Sequence, residues 1–463
     1  MTEKSLRRRS MWRLEEIVEA VNGTIHKVET DLFTDISTDS RTIGERELFI
    51  PITGTNFDGH LFIGEAYRRS RAGALCEKKR QDVCGWLPGT VVLVDDTTQA
   101  LLDLARYKRR RLNTTCIAIT GSNGKTTTKE ILVHMIKGYS SVHYNEKNYN
   151  NLIGVSKSIL AIEGNPEFCV FELGTNARGE IKKLAQTIDP DASLITNINP
   201  SHLEGLKTLE GILEEKLDLF YLTKEGGKIF VNADDPCIMP RYKDVKNREP
   251  LTYSMMSDAS FYLNVDKNLG WEGARITISF PDDVLVTKTS LLGKHNLYNI
   301  LAASSLAYAQ GIDKERIGVA IETFTSFDKR FKPIVSKKGF AIIDDTYNAN
   351  PSSMEWAIRT LIELPSEGKR IIVLGDMREL GEKSPEYHRE LGRLLKSSNI
   401  PVIALIGQEV REAYAELGEQ RAKLFYDKGQ LIDYIAGQVE KGDTILVKGS
   451  RLSKMEEIVE ALV

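Results

Sequence analysis

Apolar positions recur along this chain in two rhythms, one of about 3.6 residues and one of two or a short unbroken run, and they predict helices and strands in turn. Trp12, Leu14, Ile17, Val18 and Val21 fall on one side of an opening helix. Residues 47–52 and 91–94 read as strands, 54–60 as a polar loop, and 61–69 and 97–110 as helices. The second of these helices ends in the basic cluster Lys108, Arg109, Arg110 and Arg111, which suits the negative end of a helix and marks a boundary near residue 112.

Beyond it, short apolar strands at 116–119, 168–172, 193–196 and 228–231 alternate with helices, the pattern of a doubly wound, mostly parallel sheet. Between 251 and 292 the rhythm changes to alternation, and 261–263, 274–280 and 284–286 predict antiparallel strands. Helices follow at 296–310 and 314–324. A further α/β unit has strands at 340–343, 370–374, 402–406, 423–426 and 444–447. The fold class is therefore α/β in three domains, 1–112, 113–326 and 327–463: a small α/β domain, a central doubly wound domain with a mostly parallel sheet, and a Rossmann-like C-terminal domain.

Composition narrows the functions this fold can serve. The 463 residues suit two to four domains at about 150 residues each. Lysine and arginine number 62 against 65 acidic residues, so no bulk charge favours nucleic acid, and none is expected as a partner. The basic run at 6–9 is followed by Ser10 and an amphipathic helix, with no apolar core of a signal peptide. No segment approaches 18 apolar residues, so no membrane insertion is expected. The five cysteines lack paired ligand spacing, and a reduced, cytoplasmic compartment fits them.

The chemistry gathers at one turn. The strand ending at Thr120 runs through Gly121, Ser122, Asn123 and Gly124 into a helix that begins Lys125, Thr126, Thr127. Glycines let the backbone approach an anion, and the helix start aims free N–H groups at it. Lys125 can reach terminal phosphates and the Thr126 hydroxyl can ligate Mg²⁺. The loop is two residues shorter than the common phosphate loop, whose first glycine would fall at Ile119.

Other polar residues stand at the C-terminal strand ends, where such sheets bind ligands. Glu172 closes one strand, His202 follows the next, and Lys216 lies on the helix after it. A carboxylate and a hydroxyl suit a hard cation such as Mg²⁺. Asn232, Asp234, Asp235, Asn296 and Asn299 are candidates for an adenine pocket, because an amide offers donor and acceptor together. Asn296 also fits a helix N-cap. Arg330, at the junction of the second and third regions, is placed to reach across to a phosphate. The third region adds polar runs at 344–354, 374–381 and 447–451.

Together these motifs resemble the Mur ligases, and within them the MurF type, over about residues 34–457. The short loop 120–126 resembles the family's ATP loop, and the asparagine-rich segment 148–154 its neighbour. The runs 345–351 and 375–381 are the most specific to the type, and Ser37–Arg41 and Asp58–His60 resemble its UDP-binding domain. The resemblance implies an ATP-dependent ligase that adds D-alanyl-D-alanine to UDP-N-acetylmuramoyl-tripeptide through an acyl phosphate. It implies ATP contacts from Gly121, Ser122, Asn123, Gly124, Lys125, Thr126, Thr127, Asn296, Asn299 and Arg330. Catalytic roles fall to Lys125, Lys216, His202, Arg330 and Asp345. Substrate contacts fall to Ser40, Arg41, Asp58, His60, Asn150, Asn151, Tyr347, Asn348 and Asn350. Two Mg²⁺ sites are implied, drawn from Thr126, Glu172, His202 and Lys216, the last carrying CO₂ as a carbamate. In the family the neighbours of that lysine are small, where this chain has Glu215 and Leu217. A monomer is expected. The alternatives are a relative acting on another acid and amine, of MurE, cyanophycin or folylpolyglutamate type, and a phosphate-loop NTPase that moves a partner.

Overall fold

The structure is a computed structural model that describes residues 11–54, 57–146, 149–245 and 249–463. The basic run at 6–9 with Ser10, two residues of the predicted 54–60 loop, and the first residue of the asparagine-rich segment lie outside the described residues.

Three sheets organise the chain. The first has five strands in the spatial order Thr24–Lys27, Thr90–Val94, Gly73–Glu77, Glu47–Phe49, Asp35–Ser37. The strand expected over 47–52 stops at Phe49, two residues before Pro51, which has no N–H for a ladder. Gly73–Glu77 gave no strand signal, since glycine and alanine are poor strand formers, yet all five residues are buried in the middle of the sheet. Trp12–Arg13, expected to open a helix, instead pairs antiparallel with Leu32–Phe33, and the helix runs Leu14–Val21. The polar loop after residue 52 contains a small hairpin, Thr53–Gly54 against Phe57–Asp58.

The central sheet has nine strands in the order Val142–Tyr144, Phe168–Glu172, Thr115–Thr120, Ala192–Ile195, Lys228–Asn232, Leu251–Ser254, Phe261–Asn268, Ala274–Ser279, Val284–Thr289. The first seven are parallel, and the last two turn back as a meander. The expected antiparallel strands therefore extend the parallel sheet. The switch happens at Phe261–Asn268, which is parallel to one neighbour and antiparallel to the other. Burial alternates only over its first three residues, and its far half, 264–268, is exposed throughout.

The third sheet orders Lys332–Val335, Ala341–Asp345, Thr444–Lys448, Arg370–Gly375, Val402–Ile406, Lys423–Phe425, parallel except for its first strand. Buried apolar clusters cross between the units. One joins Trp12 and Ile17 of the first to Phe171 and Ile181 of the second. Another joins Ile195 and Leu217 of the second to Phe331, Ile343 and Leu374 of the third. No helix among the described residues is long and apolar enough to cross a membrane.

Candidate active site

A cleft of about 780 Å³ opens where the central and third sheets present the C-terminal ends of their parallel strands. Residues 122–127 form one wall, 196–202 with 294–296, Tyr298 and Asn299 flank it, and Arg330, Asp345, Asn348, Asn350, Glu379 and Lys448 close it from the third domain.

The phosphate loop takes its shape from its neighbours. Gly121 and Gly124 have φ of 146° and 81°, backbone that favours glycine. A Cβ on Gly121 would lie 1.9 Å from Thr196 Oγ1, and one on Gly124 2.2 Å from Asn299 Oδ1. The segment after the Ala192–Ile195 strand staples the loop. Thr196 Oγ1 donates to the Asn123 carbonyl (2.5 Å), Asn197 Oδ1 accepts from Asn123 N–H (3.0 Å), and Ser122 Oγ donates to the Asn199 carbonyl (2.8 Å). Thr196, Asn197 and Asn199 were not singled out by the sequence, because their partners lie more than seventy residues away in the chain. Lys125 folds back, its Nζ donating to the carbonyls of Gly121 (2.7 Å) and Ser122 (3.3 Å). Burial lowers its pKa, with Arg330 adding to the effect and Glu172 opposing it.

Register places Glu172 beside this loop, since Ile119 pairs with Glu172 across the parallel ladder. Thr126 Oγ1 donates to Glu172 Oε2 at 2.8 Å, and Arg330 Nη2 donates to Thr126 Oγ1 at 3.0 Å. Arg330 lies with its guanidinium 3.8 Å over the Tyr347 ring, between Lys329 and Phe331, both with positive φ. Asn150 donates to Glu172 Oε1 at 2.8 Å, so within the protein its side chain orients this carboxylate. Asn151 caps the Leu152–Leu160 helix through Gly154 N–H. Asn145, not singled out from sequence, holds both backbone groups of Glu172 from a buried position.

Lys216 is buried beneath the cleft rather than lining it. Burial pushes its pKa well below the ordinary lysine range, and Lys125 adds to that against Glu215. Glu215 is occupied elsewhere: it accepts from Gly179 N–H (2.6 Å), Ile181 N–H (2.7 Å) and Thr175 Oγ1 (3.1 Å), capping the Glu180–Ile188 helix. That gives the carboxylate beside Lys216 a structural use. His202 lines the cleft, its Nδ1 2.6 Å from Glu379 Oε2 of the third domain, off the axis of a hydrogen bond.

In the third domain, Asp345 and Lys448 end adjacent parallel strands and form an ion pair at 2.6 Å. Lys448 Nζ also donates to the Asn348 carbonyl (2.9 Å), which leaves the exposed Asn348 side chain turned to the cleft. Asn350 caps the Pro351–Glu363 helix through Ser353 N–H, and its amide donates to Asn123 Oδ1 at 2.7 Å. Ser352 donates to Asn199 Oδ1 at 2.9 Å.

The helix expected to start at Asn296 starts at Lys294, so Asn296 is not its cap; its amide donates to the Leu292 carbonyl at 2.8 Å. Asn299 Nδ2 donates to Asn296 Oδ1 (3.2 Å), and Thr128 Oγ1 donates to Asn299 Oδ1 (3.3 Å). Both asparagines are buried in the cleft wall. Asp235 is used by the scaffold, accepting from Ile198, Cys237 and Ile238 N–H groups. Asp234 accepts from Tyr298 Oη (2.8 Å) and Met255 N–H (2.7 Å).

Ser40, Arg41, Asp58 and His60 lie in the first domain, outside the cleft lining. Arg41 grips Asp39 with two hydrogen bonds and holds its carboxyl down to about 2. His60 is fully enclosed. Its Nδ1 lies 2.9 Å from Asp58 Oδ1 and its Nε2 accepts from Glu77 N–H, which makes it a support for the Asp58–Arg80 ion pair rather than a ligand contact. Ser40 donates to Glu65 (3.3 Å).

Residues 119–307 match the family description "Mur ligase middle domain", and 329–451 match "Mur ligase, glutamate ligase domain". The UDP-N-acetylmuramoyl-tripeptide–D-alanyl-D-alanine ligase of Bacillus subtilis is 34% identical over 461 residues, covering 97% of this chain and 98% of that protein. This chain belongs to the Mur ligase family. The enzyme of the same name from Escherichia coli is 31% identical, covering 97% of this chain and 98% of its own. MurF from Acinetobacter baumannii superposes with a TM-score of 0.90 at 27% identity, over 98% of this chain and 99% of that one. MurF ligase from Thermotoga maritima in complex with ADP superposes with a TM-score of 0.82 at 29% identity, over 92% and 96%.

The donor set fits a family ligase's divalent ion. Glu172 and Thr126 offer oxygen atoms beside the phosphate loop, and Mg²⁺ is held by one or two protein oxygens together with phosphates and water.

Proposed function

We infer that this chain is an ATP-dependent ligase that joins D-alanyl-D-alanine to UDP-N-acetylmuramoyl-tripeptide, releasing ADP and phosphate. The observation that carries this reading is the reach of Arg330 from the third domain to Thr126 of the phosphate loop, in a chain that aligns end to end with ligases of that name. A folylpolyglutamate- or cyanophycin-type substrate is disfavoured by that alignment.

A carboxylate is a poor electrophile, and phosphorylation supplies its leaving group. The tripeptide carboxylate attacks the γ-phosphate of ATP, and ADP departs. The amine of D-alanyl-D-alanine then attacks the acyl carbon and expels phosphate. Lys125 leaves its own loop carbonyls for the terminal phosphates, and Arg330, steadied on Tyr347, faces the transferring group. Both offset charge that builds during transfer. Asn296 and Asn299 hold the adenine side. Tyr347 and Asn348, with Asp345 fixed by Lys448, face the dipeptide. Asn350 acts on the ATP loop through Asn123. Ser40, Arg41 and Asp58 with its support His60 serve the UDP end of the acid substrate.

Glu172 and Thr126 would hold one Mg²⁺, with His202 and a carbamate on Lys216 beside a second, and bound there the ions would offset phosphate charge. Burial favours the neutral Lys216 amine, and a neutral amine adds CO₂, loses one proton and becomes an anion. We assign the 1–112, 113–326 and 327–463 units to UDP-substrate, ATP and dipeptide binding, in a monomer acting in the cytoplasm.

The test is product mass after incubation with ATP, D-alanyl-D-alanine and UDP-tripeptides ending in lysine or in diaminopimelate. A mass gain of the dipeptide less water supports the assignment. ADP release that needs neither acid nor amine would mark an NTPase instead.

A further inference from the structure

His202 enters the cleft from the central domain, on a backbone with φ of 52° that turns into the Leu203–Leu206 helix. Among the described residues its Nδ1 makes no hydrogen bond within its own domain. It faces Glu379, which the third domain presents from a residue also held at positive φ, 65°. The contact is anchored at more than one point. The Glu379 carbonyl accepts from Glu204 N–H at 3.1 Å, and a Cβ on Gly381, whose φ is 56°, would lie 3.4 Å from the Glu204 Cα. Backbone and side chain of one third-domain turn thus both sit on the residues around His202.

We propose that Glu379 is a positioning residue that, when the third domain is closed on the central one, holds His202 as the Nδ1–H tautomer and leaves Nε2 as the nitrogen that works in the cleft. The chemistry is that of a carboxylate behind a histidine: an acceptor at one ring nitrogen fixes where the proton sits and how the ring is turned. The two atoms are already at contact distance, 2.6 Å, although off the hydrogen-bond axis. Because the carboxylate comes from the third domain, His202 is correctly set only in the closed arrangement. Domain closure would then be read directly by a central-domain residue, independently of the contacts that Arg330 and Asn350 make to the phosphate loop. The His202–Glu379 pair stands beyond those contacts, and Glu379 itself touches no loop residue through a hydrogen bond among the described residues.

The role rests on the ligase reaction proposed above, so wild-type ligation is measured alongside as the control. If wild type makes no product, the ligase reading fails. If it does, Glu379 is tested by Glu379→Gln, which keeps the shape and removes the charge, and Glu379→Asp, which keeps the charge. Histidine labelled with ¹⁵N reports the tautomer of His202, assigned by its loss in His202→Gln. The expected result is an Nδ1–H ring in wild type with ATP analogue bound and divalent ions chelated, a shift toward Nε2–H in Glu379→Gln, and partial return in Glu379→Asp. With it, kcat should fall about 10–100-fold in Glu379→Gln while the KM for ATP stays within about twofold. An Nε2–H ring in wild type, the same tautomer in Glu379→Gln, or an unchanged kcat overturns the proposal. A KM for ATP that rises as far as kcat falls also overturns it, since that is the signature of lost closure.

Discussion

The side-chain amide of Asn350 donates to Asn123 Oδ1 at 2.7 Å, tying the first turn of a third-domain helix to the middle of the phosphate loop. The same asparagine caps that helix, so its two functions separate by substitution. Asn350→Asp keeps the cap, and Asn350→Ala loses it at a cost of about 1 kcal/mol in stability. Both should reduce kcat/KM for ATP. A double-mutant cycle with Asn123→Ala should show a coupling of about 0.5–3 kcal/mol in kcat/KM, the range for groups in contact. Additive effects would mean that the contact does not operate during turnover.

Lys125→Ala should abolish ligation while the fold persists. The side chain rests on carbonyls of its own loop and, among the described residues, makes no hydrogen bond to another element. A melting temperature within a few degrees of wild type, with product formation lost, is the expected outcome. Near-normal turnover by the folded variant would remove Lys125 from the reaction.

Gly124→Ala tests the fit of the loop. The new methyl would lie 2.2 Å from Asn299 Oδ1 on a backbone with φ of 81°. ATP affinity, read by calorimetry, should fall at least about tenfold, because the added group strains the turn and displaces a cleft-wall asparagine at once. Gly179→Ala, at a similar φ of 83° but with open space around it, is the control for backbone strain alone.

Lys216→Ala should be almost inactive, and formate or acetate should restore part of the activity by supplying the missing carboxylate. Carbon-13 spectra of wild type equilibrated with labelled CO₂ should show a carbamate signal that the variant lacks. Full activity in Lys216→Ala, or active wild type with no such signal, would dismiss the carbamate.

Acid should weaken the fold in part through His295. This ring lies against Phe331 and Trp356, with its Nδ1 shut off from solvent and without a hydrogen-bond partner among the described residues. Burial pushes its pKa from 6.5 down to about 4, with Asp345 opposing and Lys448 assisting. Between those values the unfolded chain binds the proton and the folded chain does not. The contribution is therefore complete above about pH 6.5 and is lost as pH falls toward 4, by up to about 3 kcal/mol. His295→Gln should show a smaller drop in melting temperature between pH 7 and pH 4.5 than wild type. An equal drop in both would mean that His295 titrates normally.

Local pattern alone was enough for much of this chain. The helix Thr97–Arg110 and the strands Phe168–Glu172 and Val402–Ile406 have the limits that their apolar spacing and end residues predict. The phosphate loop was legible too, because its glycines, lysine and threonine are consecutive and their chemistry is local. Tertiary structure decided which polar residues serve the cleft and which serve the scaffold. Asn150, Asp235, Glu215 and His60 read in sequence as ordinary candidates or neighbours of candidates, yet each is bound to a backbone or carboxylate partner. Thr196, Asn197 and Asn199 gave little signal, while Glu379 and Lys448 stood inside the polar runs 374–381 and 447–451 with no role of their own; together they shape the loop, His202 and Asp345. The reason is physical. A helix is set by residues three and four apart, which the chain itself places, whereas a strand's neighbour and a buried polar group's partner come from any distance in sequence. Parallel register put Glu172 beside Thr126, and closure of the third sheet on the second put Arg330 and Glu379 in reach of residues roughly 200 positions earlier.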